Sequence, residues 1–105
     1  MGSSDDKLFK EAAAILTAVK FHARDDTNFD WVYYETAQDM RNEIDQYIAS
    51  FEKGSREYLD EVNMHFLPTA AYQEHSIAND WVAEYYVLAE RFDKIYAALK
   101  SKTSF

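Results

Sequence analysis

Apolar residues along this chain return every three or four positions, and the returns fall into four stretches. In the first, Leu8, Ala12, Ile15, Leu16, Val19 and Ala23 make one stripe at helical period, while Phe21 lies off it. Ser3 or Ser4 can cap this segment, and Asp5 and Asp6 suit the positive end of a helix dipole. A helix is therefore predicted from about Ser4 to Arg24. The second stretch, about Asp30 to Lys53, carries Ala37, Met40, Ile44, Tyr47 and Phe51 in 3/4 spacing with Ile48 beside them. Gly54 follows it and suits the left-handed residue that ends a helix. The third is short, about Ser55 to Phe66, with Tyr58, Leu59, Val62 and Phe66 as its stripe and Pro68 as its stop.

The fourth stretch has the most regular stripe: Trp81, Tyr85, Leu88, Phe92, Ile95 and Leu99, ending near Lys100. Its start is ambiguous. A helix running on from Thr69 would place Glu74 inside the apolar stripe, where a bare carboxylate costs several kcal/mol. A break is predicted near His75, with Ser76 capping Ile77, Ala78 and Asn79; the alternative is one long helix with a partnered Glu74. No stretch alternates with period two, so no strand is predicted. Four amphipathic helices with mostly short links predict an all-α, antiparallel four-helix bundle with a short third helix, as one domain over residues 1–105. Helices 1, 2 and 4 should supply the core, with Ile44 and Leu88 nearly fully buried.

Composition narrows the chemistry. With no cysteine, disulfides, thiolate metal sites and a cysteine nucleophile are excluded. Two glycines are too few for a phosphate-cradling loop or a dinucleotide fingerprint. A net charge of −8 argues against direct binding of nucleic acid, whose phosphates repel it. Charge interrupts every apolar run well before the roughly 20 residues of a membrane span. The first residues lack the basic start and apolar core of a secretory signal, so a cytoplasmic protein away from membranes is expected.

Glu61 and His65 stand four apart on one side of the third helix, but no third ligand is apparent, and paired Glu-x-x-His motifs are missing. No metal and no cofactor are therefore expected, and no serine sits in a nucleophile turn. What remains is surface. Glu35, Asp39 and Glu43 are read as an acidic face opposite the stripe of helix 2, and Tyr34 and Tyr86 fall off the apolar stripes. These five residues are the expected contacts with a protein partner of basic surface. The expected function is that of a small, non-catalytic acidic protein that docks on and neutralises such a partner. In physical type this compares with immunity proteins of nuclease toxins and with phage inhibitors. One alternative is a ligand-binding or catalytic bundle with a polar site around Glu74, His75 and His65. Another is a structural subunit or homodimer that buries Met64, Leu67, Tyr86, Val87 and Phe105 against a second chain.

Overall fold

The computed structural model describes residues 3 to 25 and 34 to 101. It contains α1 (Ser3–His22), α2 (Ala37–Glu52), α3 (Leu59–Phe66), α4 (Ala71–Ala78) and α5 (Val82–Ser101), and no strand among the described residues. The protein is an all-α helical bundle. Side-chain pairs fix the register. Phe9 packs on Phe51 with ring centroids 6.0 Å apart, Lys20 meets Asp45 at 2.8 Å, and Arg41 donates to the Ala23 carbonyl at 2.7 Å, so α1 and α2 are antiparallel. Glu11 meets Arg91 at 3.6 Å and His22 meets Glu84 at 3.0 Å, so α5 also runs against α1. Tyr47 reaches Glu61 at 2.5 Å and Glu43 approaches His65 at 3.4 Å, which sets α3 against α2. Tyr96 donates to Asp60 at 2.6 Å while Tyr85 donates to the Phe66 carbonyl, and these close the ring between α3 and α5. The α4 helix sits in the α3–α5 connection and packs on both.

Each stripe turns inward as its spacing requires. Met40, Ile44, Tyr47 and Phe51 of α2 are buried, as are Tyr85, Leu88, Phe92, Ile95 and Leu99 of α5. Phe21 is 69% exposed. Gly54 takes φ +74°, the left-handed conformation that ends α2. The helix ends differ from expectation in three places. Residues 34–36 are not helical: α2 starts at Ala37, with the Thr36 side chain accepting from the Asp39 N–H at 3.0 Å. The predicted run from Asp30 to Tyr33 lies outside the described residues, and α1 already includes both Ser3 and Ser4 as helical residues. The first four residues of the predicted third helix are not helical: Glu57 and Tyr58 form a turn, and α3 begins at Leu59. The break before the last helix falls at Asn79 and Asp80, not near His75. Asp80 adopts φ +64° there, and Ser76 is a buried helical residue whose hydroxyl donates to the Gln73 carbonyl, not a cap. Because α4 is a separate helix, Glu74 escapes the α5 stripe and stays half-buried.

Thr36→Ala is expected to lower stability by about 1 kcal/mol, since it leaves the Asp39 N–H without its side-chain acceptor. Chemical denaturation with an unchanged m-value would measure it.

Candidate functional site

Helix spacing places Glu43 and Tyr47 one turn apart on α2, and Glu61 and His65 one turn apart on α3. The antiparallel seam brings the two pairs together. One ligand atom from each of Glu43, Glu61 and His65 lies within 4.8 Å of the others. The His65 Nε2 is 3.4 Å from Glu43 Oε1 and 3.1 Å from the Tyr47 hydroxyl, so this nitrogen points into the cluster. Two phenols donate to the carboxylates: Tyr34 to Glu43 at 2.5 Å and Tyr47 to Glu61 at 2.5 Å.

A third phenol closes the inner side. Tyr72 of α4 is fully buried, its ring 5.1 Å from that of His65, and its hydroxyl has no hydrogen-bond partner among the described residues. Burial first, and then the charges of Glu43 and Glu61, hold the Tyr72 phenol well above its ordinary pKa. Burial likewise raises Tyr34 and Tyr47, helped by their bonds to Glu43 and Glu61. All three phenols therefore stay protonated, and Tyr34 and Tyr47 act as donors. The outer side is open: Glu61 is exposed, and the side chains of Glu43 and His65 are 30% and 21% exposed.

This geometry corrects part of the expected docking surface. Tyr34 is buried in the core at 9% exposure, and Glu43 is turned toward α3, so neither presents its group to a partner from an outer acidic face. The reason lies in helix geometry. At 100° per residue, Glu43 stands only about 40° from Tyr47 and about 60° from Met40, on the flank of the buried stripe. Glu35 and Asp39 are exposed, and Tyr86 is 57% exposed on α5, whereas Glu35 precedes α2 and Asp39 lies on it.

The alternative polar site is likewise rearranged. His65 gathers Glu43 and Glu61, not Glu74 and His75. His75 is buried and accepts from the Trp81 indole N–H at 3.0 Å. Burial pushes its pKa down to about 4, so it is a neutral packing group near neutral pH. Tyr47 and Tyr72 were not foreseen as site residues, and Glu43 was expected only as a docking contact. The one available signal was the 40° offset between Glu43 and Tyr47, which placed a carboxylate on the edge of a buried face.

A second region lies between α3 and α5. The Tyr96–Asp60 and Tyr85–Phe66 bonds face one flank of α3 with one flank of α5. On those flanks Met64 is 63% exposed, Leu67 48% and Tyr86 57%. Tyr86 is steadied by Gln73, whose amide donates to its hydroxyl at 3.1 Å. Three large apolar side chains are thus exposed on α3, on the residue that follows it and on α5, with Asp60 on α3 and Asp93 on α5 also exposed.

No helix among the described residues is long and apolar enough to cross a membrane. Comparison with family models, with curated proteins and with solved structures finds no match.

Proposed function

We propose that this chain is a non-catalytic binding module that docks on a protein with a basic surface, through the groove between α3 and α5. The carrying observation is the exposure of Met64, Leu67 and Tyr86 on a chain with net charge −8. Exposed apolar side chains that share a patch mark interaction sites more than scattered ones do. Tyr86 is the anchor type that hot spots favour, and the Gln73 bond pre-orders it. The excess of carboxylates selects cationic partners and speeds encounter. Glu35 and Asp39 contribute to that field at longer range, without belonging to the groove.

Retention of proteins from the native host on immobilised wild-type chain, beside Leu67→Glu and Tyr86→Ala chains, tests this reading. The expected result is a basic protein held by wild type, weakened roughly tenfold or more by either substitution, and released as salt rises. Reversing Glu35 and Asp39 to Lys should slow association more than it speeds dissociation. A partner held equally by all three chains and indifferent to salt would remove the groove from the interface. Light scattering that finds a dimer broken by Leu67→Glu would instead assign the groove to a second copy of the chain.

A further inference from the structure

Two carboxylates and an imidazole converge where α2, α3 and α4 meet, and a fully buried phenol beside them has no partner among the described residues. We propose that Glu43, Glu61 and His65 bind one borderline dication of the Zn²⁺ class, with the Tyr72 hydroxyl facing it from the core. The site is independent of the docking groove and shares no residue with it.

Charge is the first argument. Among the described residues, His65 is the one cationic side chain within ion-pair distance of either carboxylate. Even when protonated it leaves the pair with one net negative charge in a partly dry seam. A dication offsets both carboxylates at once.

Geometry is the second. Bonds of about 2.0–2.2 Å in a tetrahedral shell set ligand atoms about 3.3–3.6 Å apart. His65 Nε2 and Glu43 Oε1 already stand 3.4 Å apart. The remaining gaps, within 4.8 Å, close by a shift of the exposed Glu61 carboxylate that keeps its Tyr47 bond. Glu43 Oε1 has a second lone pair, so it can accept from Tyr34 and still ligate, while Glu61 can offer the oxygen that does not accept from Tyr47. Tyr34 and Tyr47 would then orient the ligands as outer partners do in other metal sites.

Donor type sets the class of ion. Imidazole with two carboxylates suits Zn²⁺ and its first-row neighbours, whereas Mg²⁺ and Ca²⁺ take oxygen ligands. Three protein ligands leave a fourth position, which the Tyr72 hydroxyl or a water can fill. That would give this buried hydroxyl the partner it lacks. The exposed side at Glu61 provides the entry path.

Calorimetric titration of the chelator-treated full chain with Zn²⁺ tests the site. One equivalent should bind, and His65→Ala and Glu43→Gln should each weaken binding roughly tenfold or more. Far-UV circular dichroism checks that both variants remain folded. Tyr72→Phe guards against a loss of fold posing as a loss of site: it removes only a hydroxyl, so it should weaken Zn²⁺ binding without lowering the stability of the metal-free chain. His22→Ala, which disrupts the separate His22–Glu84 pair, should leave binding unchanged. No heat from wild type, or equal affinity in the His65 and Glu43 variants, would overturn the proposal. So would competition by Mg²⁺ at equal concentration, which would remove the imidazole from the ligand set.

Discussion

Replacing Phe92 by Ala is expected to lower stability by about 3–5 kcal/mol. Phe92 has 0% exposure and lies at the centre of the α5 stripe. Its ring stacks on Phe66 of α3 with centroids 5.0 Å apart and an interplanar angle of 21°. The α3 helix has only eight residues, too short to hold a helical form by itself in water, so its order comes from such contacts. Truncation at 92 therefore leaves a cavity and loosens α3 together. Since domains of this size are stable by about 5–15 kcal/mol, the variant should be close to unfolding at physiological temperature. Denaturant melts of Phe92→Ala beside Val87→Ala measure this. Val87 is 56% exposed, and its truncation should stay within about 0.5 kcal/mol. Equal losses at the two positions would show that the α5 stripe is not the face that packs on α3.

Acid is expected to destabilise the fold through His75. Its imidazole is 5% exposed and accepts from the Trp81 indole N–H through Nδ1 at 3.0 Å. On the other side of the indole, His22 stacks at 4.3 Å with an interplanar angle of 4°, and His22 itself reaches Glu84 at 3.0 Å. Protonation of His75 would place charge in this packed corner and turn the Trp81 acceptor into a donor. Burial, and then the neighbouring His22, hold its pKa down to about 4 in the folded chain, against about 6.5 when unfolded. Below pH 6.5 the unfolded chain thus takes up a proton that the folded chain refuses, and stability falls as pH drops toward 4. The loss approaches about 3 kcal/mol once both states are protonated. His75→Gln keeps an acceptor for Trp81 and removes the titration. Between pH 7 and pH 4.5 it should lose about 2–3 kcal/mol less than wild type does. Parallel stability curves for the two chains would mean that His75 titrates normally in the fold.

Much of this architecture was legible in one dimension. The stripes of α2 and α5 needed only the 3.6-residue period, because a helix that buries one face repeats its apolar positions at that spacing whatever its neighbours are. Gly54 was legible for a similar reason: a left-handed residue at the end of a helix favours the side chain without a Cβ. The end of α4 was not. Asn79 and Asp80 carry no glycine or proline stop, and the break is held by Trp81, which stacks on His22 of α1 and donates to His75 of α4.

The candidate cluster shows the same boundary. Sequence alone set Glu61 and His65 on one side of α3, and Glu43 one turn from Tyr47, because those spacings are properties of a single helix. It also set the acid excess and the absence of thiol chemistry. Only the tertiary structure decided that the two pairs face one another, that Tyr34 turns into the core instead of outward, and that Tyr72 of α4 lies against His65. Periodicity reports which way a residue points from its own axis. It carries no information on which helix stands opposite or at what register, and a ligand set drawn from two helices exists only once packing has fixed both.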